Sequence, residues 1–275
     1  MYMPVSFAGK FFKWYLLCPQ HPAKIRIENY LGRLFFRDGI SIKNSEGIVF
    51  KLDANDWITR VMIETGNYEK GSVELAKHLL KGGGIFIDVG ANFGLYSCQV
   101  KYSNEKVRVF TVEPNYKVVP RLVNNLAINK LIGNVTVINA AIGDTFSQVY
   151  LQFPVQNNLG TTFVSNTNTG GIAVVSCPLD FLLQSNNIRQ VDLLKIDIEG
   201  NEFAVLKNFP FDKIIIKNII LEFNFLSEVS FAQLRFFFDQ KGFNFFAVTG
   251  NRLVDDKNEI PENNIWIVNR QYQQD

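Results

Sequence analysis

Apolar positions along the chain follow two rhythms. From Gly84 onward, short apolar runs alternate with stretches in which apolar residues recur at helical spacing. The runs Ile85–Val89, Val107–Val112, Val135–Ala140, Leu193–Ile198 and Ile214–Phe223 are apolar at most consecutive positions, as strands covered on both faces must be. Between the second and third, "NYKVVPRLVNNLAINKLIG" is helical from about Val118, with Pro120 in the first turn, where a missing N–H is tolerated. Segments 201–209 and 230–242 predict two more helices, the second ended by Gly242. Strand–helix alternation of this kind predicts an α/β fold with a largely parallel sheet and helices on both faces. "FNFFAVTG" and "NNIWIVNR" read as a closing antiparallel pair.

The first part of the chain keeps a different pattern. Residues 1 to about 36 are helical and aromatic, and "GISIKNSEGIVFKLD" (39–53) alternates around Asn44-Ser45-Glu46-Gly47 as a hairpin does. These elements divide the chain into an extension, residues 1–52, and a main domain, residues 53–275. In "SVELAKHLL" (72–80), Val73, Ala76, Leu79 and Leu80 share one helical face. Between 145 and 180 an inserted hairpin carries a polar loop (155–172) near the sheet edge, where a substrate could enter. The run "VSFAGKFFKWYLLCP" is interrupted by Lys10 and Lys13, lacks a cleavage site and is too short to span a bilayer. It reads as an amphipathic helix docked on the domain. The competing reading is peripheral membrane contact through Phe11, Phe12, Trp14 and Tyr15.

Composition narrows the function classes. The 275 residues are 47% hydrophobic and 20% charged, ordinary for a globular chain, and the net charge of +2 gives no argument for nucleic acid. Cys18, Cys98 and Cys177 are far apart with no CxxC, which argues against a disulfide framework or structural zinc and favours a cytoplasmic setting.

Candidate chemistry centres on "GGGIFIDVGANFGLYSC" (82–98), a strand, a glycine turn and a helix start. The dinucleotide fingerprint G-x-G-x-x-G fails at two positions, Asn92 and Leu95, and no GxxxxGK[ST] loop occurs. What fits is acidic-x-Gly-x-x-x-Gly, from Asp88 through Gly90 to Gly94, with Asn92 tolerating positive φ. A carboxylate ahead of the turn repels a pyrophosphate and suits a cation, so Asp88 favours S-adenosylmethionine, a sulfonium without phosphate, over NAD. Glu113 ends the next strand, where a carboxylate can accept from both ribose hydroxyls. Ala141 leaves room for a purine whose amine Asp144 could bind.

"GNYEKG" (66–71), "FIDVGANFGLYS" (86–97), "VEPN" (112–115), "VDLLKIDIEGNEFAVLKN" (191–208) and "LEF" (221–223), in this order, resemble the FkbM-type methyltransferases. The likeness runs from roughly Asp53 to Phe225. It implies a class I, Rossmann-like, seven-stranded sheet with one antiparallel strand and S-adenosylmethionine over its C-terminal edge. It also implies a hydroxyl acceptor on a sugar, glycan or other small molecule. "GNYEKG", just ahead of a helix, is expected to fold over the cofactor, where Tyr68 and Glu69 could touch its methionine end. Hydroxyl acceptors need a base, and His21 and His78 both lie outside the motifs. Period-two geometry puts Lys195, Asp197 and Glu199 on one side, with Glu222 on the neighbouring strand. Asp197, tuned by Lys195, is then the base or a ligand of the cofactor's amine, and Glu199 and Glu222 bind the acceptor. Glu199 to Glu202 could instead be only an acidic helix start. A metal-assisted variant would use Asp197, Glu222 and a third oxygen, though no His or Cys cluster supports it. An NAD-dependent oxidoreductase and a non-catalytic binding module are the readings from other classes.

Overall fold

The structure, a computed structural model, describes residues 1–152, 163–165, 167, 171–223, 229–249 and 263–273. The N-terminal part holds β1 (Met3–Pro4), α1 (Phe7–Leu16), α2 (Lys24–Phe35), the hairpin strands β2 (Ile40–Lys43) and β3 (Val49–Leu52), then α3 (Trp57–Thr65) and α4 (Lys70–Leu79). Next come β4 (Gly84–Val89), α5 (Leu95–Ser103), β5 (Val107–Val112), α6 (Val119–Ile128) and β6 (Val135–Ile138). An excursion through β7 (Ala141–Gly143), β8 (Ser147–Gln152), β9 (Phe163–Ser165) and β10 (Ile172–Pro178) leads to α7 (Leu179–Ser185) and β11 (Gln190–Val191). The chain closes with β12 (Leu193–Ile196), α8 (Glu202–Lys207), β13 (Ile215–Ile216), β14 (Asn218–Glu222), α9 (Phe231–Gln240), β15 (Phe243–Ala247) and β16 (Asn264–Asn269).

The main sheet has seven strands in the order β15-β16-β14-β12-β4-β5-β6. The ladders joining β14, β12, β4, β5 and β6 are parallel, and β16 runs antiparallel to both its neighbours. Side-chain alternation along the strands builds two cores. Phe86, Val109, Leu193 and Ile220 face the first, with Val100 of α5, Leu122 of α6 and the extension residues Phe12, Ile42 and Phe50. Ile87, Val89, Leu194 and Ile219 face the second, with Leu182 of α7, Leu206 of α8 and Phe238 of α9.

Hairpin strand β3 would otherwise expose unpaired backbone groups on its outer side. Two α6 amides fill that role: Lys51 N donates to Asn125 Oδ1 at 2.8 Å, and Asn129 both accepts from Val49 N (2.9 Å) and donates to Val49 O (2.7 Å).

Several elements depart from the sequence expectations. Val135–Ala140 is not one strand: β6 ends at Ile138, and β7 leaves for a small second sheet ordered β7-β10-β8-β9. Ile214–Phe223 divides at Lys217 into β13 and β14. The N-terminal region forms two helices, and α3 and α7 had no counterpart in the apolar pattern. The inserted hairpin is present as the antiparallel pair β8–β10; most of the polar loop between its strands, including 153–162, lies outside the described residues.

Candidate active site

The glycine turn is forced by the strands around it. Leaving β4, the chain passes so close to the end of β12 that a Cβ on Gly90 (φ +74°) would stand 1.7 Å from the Asp197 carbonyl oxygen. Asn92 takes φ 47° and Gly94 φ 86°, the latter capping α5. Asn tolerates the left-handed region through its short polar side chain, which suits it to the middle of this turn. Gly90 N and Ala91 N both donate to Val112 O, and Asn92 N donates to Glu113 Oε2 at 2.8 Å, so the turn is fastened to the end of β5.

Asp88 does not stand at the rim of this turn, contrary to its sequence position. It is fully buried, and its Oδ2 accepts from Ser97 N (3.1 Å) and Ser97 Oγ (2.6 Å), which anchors the first turn of α5 to β4. The register explains this: Asp88 lies beside Lys195 on one neighbouring strand and Thr111 on the other, all turned to the first core. Burial raises its pKa and Lys195 opposes the rise. Its Oδ1 has no hydrogen-bond partner among the described residues. Gly94 likewise sits against Leu122 and Cys98 rather than in the cavity described next.

A cavity of ≈ 460 Å³ opens over the C-terminal ends of β4, β5 and β12, within the ~300–1,000 Å³ typical of small-molecule sites. Gly90, Asn92 and Glu113 line one side, Ala141 and Asp144 another, and Asp197 and Glu199 the third. Glu113 is buried, and its oxygens accept from Asn92 N and Asn115 N, each at 2.8 Å. Each oxygen keeps a lone pair for a further donor. Burial pushes its pKa up to about 7, against the pull of those two backbone bonds. Asp144 is exposed at the cavity edge.

Below Asp197 lies a dense charge cluster. Lys195 is buried and donates to Asp197 Oδ2 at 2.9 Å and to Gly90 O at 3.2 Å, with its ammonium 5.4 Å from the Tyr96 ring centre. Burial works against its charge, but Asp197, Asp88 and Glu69 outweigh it and raise the lysine pKa. Burial would also raise Asp197; Lys195 and a hydrogen bond from Glu222 reverse this and hold it below the usual carboxylate range. Glu222 goes the other way, pushed up by burial and by its hydrogen bond and proximity to Asp197, so the pair carries one proton. Glu199 sits at φ 57°, half-buried, with its pKa pushed up to about 7 by burial and then by Asp197 and Glu202. Its approach to Asp197 does not come from strand alternation, because β12 ends at Ile196.

Tyr68 and Glu69 do not line the cavity but border this cluster from below. Glu69, at φ 47°, accepts from Tyr96 Oη at 2.5 Å. Its pKa is raised by burial and opposed by Lys195, while burial, then Glu69 and Asp197, raise the Tyr68 phenol. Glu202 is a clasp: its carboxylate accepts from Ile198 N (2.8 Å) and Gly200 N (3.1 Å) and so shapes the loop carrying Glu199. His21 bonds Tyr15 Oη at 3.0 Å, and neither it nor His78 lines the cavity. Among the described residues no group of three or more His, Cys, Asp or Glu is arranged to hold a metal ion.

Sequence reasoning missed Tyr96 and Ser97, which tie Glu69 and Asp88 into the cluster. Their signal was present: both fall in the first turn of the helix that follows the glycine bend. Val149 and Ser176, cavity residues from the small sheet, had no such signal.

The family profile described as "Methyltransferase FkbM domain" matches residues 88–245. Over 121 residues the chain is 30% identical to the hexuronic acid methyltransferase AglP of Haloferax volcanii, a match covering 44% of this chain and 47% of that protein. The chain therefore spans about half the length of the curated relative it matches. Among solved structures, the methyltransferase FkbM of Methylobacillus flagellatus KT aligns over 68% of this chain and 43% of its own, with 11% identity and a TM-score of 0.42. TrmK of M. capricolum, solved with S-adenosyl-homocysteine, aligns over 72% of this chain and 66% of its own, with 16% identity and a TM-score of 0.41.

Proposed function

The chain belongs to the FkbM methyltransferase family, whose cofactor is S-adenosylmethionine, and we propose that it methylates a hydroxyl oxygen on a sugar or glycan. The observation that carries this reading is one cavity lined by a ribose-type acceptor, Glu113, by a near-neutral carboxylate, Glu199, and by Asp197, which shares a proton with Glu222 off the cavity wall. The name of the Haloferax relative, a hexuronic acid methyltransferase, supports a sugar acceptor.

The residues present fit the cofactor. Glu113 offers two free lone pairs to vicinal ribose hydroxyls. Gly90 and Asn92 bring the backbone of the turn to the cavity wall. Small Ala141 provides a flat wall and Asp144 an acceptor for an exocyclic amine. Asp197, kept ionised by Lys195, presents negative charge to a cationic ligand. The same ring of carboxylates opposes a pyrophosphate.

Bound S-adenosylmethionine supplies a methyl group on a positively charged sulfur, a reaction driven mainly by alignment and loss of water. The chain's own task is to place the acceptor hydroxyl and take its proton. Asp197 is a poor base because Lys195 and Glu222 stabilise its anion. Glu199, poised near neutrality, suits proton removal, worth about 10²–10⁴-fold in rate. Glu222, protonated at neutral pH, donates to Asp197 and fixes its orientation.

Two measurements test this. Calorimetry with S-adenosylmethionine and with NAD should give binding of the first alone; NAD binding alone would refute the cofactor reading. Radiolabelled methyl transfer to hexose, hexuronic acid and glycan acceptors should show product stable to mild base, as an ether is. Label on nitrogen or on a carboxylate ester would refute the hydroxyl.

A further inference from the structure

The outer surface of the two N-terminal helices contradicts the usual rule for soluble proteins. In α1, Gly9, Phe12 and Leu16 face the core, yet the opposite face carries Phe7, Phe11 and Trp14 in a row with i, i+4, i+7 spacing. Phe7 is 88% exposed and Trp14 61%. The structure thus replaces Phe12 and Tyr15, named from the sequence as outward contacts, with Phe7: Phe12 is buried and Tyr15 half-buried.

Helix α2 is turned inside out. Its inward face is Lys24, Glu28 and Gly32, while Ile25, Tyr30, Leu34 and Phe35 are exposed. The inward charges are consumed locally, Lys24 by Leu16 O and Cys18 O and Glu28 by Arg60. The two helices adjoin at that lysine, so the apolar outer faces belong to one end of the molecule.

Charge on this surface is equally one-sided. Residues 1–37 hold Lys10, Lys13, Lys24, Arg26, Arg33 and Arg37 against the lone acid Glu28, which is buried. The whole chain nets only +2, so its positive charge is concentrated here and the remainder is net negative. Exposed aromatic and aliphatic side chains interspersed with Lys and Arg, on two helices that carry no exposed acid themselves although exposed Glu64 of α3 lies near Lys24 and exposed Asp38 follows Arg37, match the headgroup region of an anionic bilayer. A second copy of this chain would bring the same cations against each other. Ten residues of α1 reach only about 15 Å, so the contact lies along the surface. Among the described residues no helix is long and apolar enough to cross a membrane.

We infer that α1 and α2 form a peripheral docking surface for anionic lipid, with Phe7, Phe11 and Trp14 entering the headgroup layer and Lys10, Arg26 and Arg33 pairing with lipid phosphates. Flotation of the full chain with phosphatidylcholine vesicles, with and without phosphatidylglycerol, tests it. The chain should float with the anionic vesicles and be released by salt. Phe7→Ser/Phe11→Ser/Trp14→Ser should lower partitioning at least about ten-fold. Lys10→Glu/Arg26→Glu/Arg33→Glu should lower it by about 100-fold or more. Both variants should keep the wild-type circular dichroism and melting midpoint, since the replaced residues lie outside the core. No flotation overturns the inference, and light scattering in the same samples would then show whether a second copy covers the surface. Flotation that ignores lipid charge, or survives either folded variant, overturns it as well.

Discussion

Lys24 and Lys195 are both buried, and their surroundings differ in one respect that separates scaffolding from chemistry. Lys24, under α2, donates to two backbone carbonyls, and its neighbour Glu28 is shared with Arg60: two cations serve one acid. Lys195, under the cavity, is one cation among Asp88, Asp197 and Glu69, with Glu222 bonded to Asp197. A cluster with surplus acids must retain protons at neutral pH, because desolvated like charges cannot all ionise. Burial of charge alone therefore says little about catalysis. Proton surplus beside a cavity is the informative property.

Replacing each lysine should expose this difference. Lys195→Met leaves Asp197 and Asp88 without their cation and should cost about 3–5 kcal/mol of stability, read by denaturant melts, and abolish cofactor binding by calorimetry. Glu199→Gln should keep cofactor affinity and lower turnover by about 10²–10⁴-fold; an unchanged rate would remove Glu199 from the mechanism. Lys24→Met leaves Glu28 paired with Arg60, so a loss of about 1–3 kcal/mol is expected, with unchanged kcat in the folded fraction. A fall in kcat there would erase the contrast between the two lysines.

The smallest effect is in the pH profile. Glu199 must be ionised to accept a proton, so kcat should climb through about 7 and flatten above it, and Glu199→Gln should lose that limb. Stability runs the opposite way. Glu113 and Glu199 titrate higher when folded than when unfolded, so the stability they favour is complete below the ordinary glutamate pKa. It is lost as pH rises toward about 7, and the melting midpoint of the ligand-free protein should fall over that interval.

Much of this geometry was legible in residue types. The strand–helix alternation gave the sheet, and the Gly-x-Asn-x-Gly spacing gave a turn with left-handed φ at Gly90, Asn92 and Gly94. Glu113 at a strand end pointed to the cavity because β5 stops there. Failures came where tertiary register decides. The spacing around Asp88 places it before the turn but cannot say that Lys195 lies beside it and draws it inward. Period-two counting from Lys195 reaches Glu199 only if the strand continues, and it stops at Ile196. Helix α2 defeats periodicity because its apolar stripe is real but faces outward. Contacts from the small sheet, such as Ser176, depend on a chain excursion that no local pattern encodes.

The two asparagines of α6 that complete β3 have a practical meaning for anyone dividing this chain. Sequence likeness marks out 88–245, yet the first fifty or so residues roof one side of the sheet and are laced to α6 by side-chain amides. Cutting at the homology border would remove most of β4 and leave Val100, Val109 and Ile220 wet and two amides idle. The smallest piece that can be purified as a stable body therefore begins well ahead of the shared region.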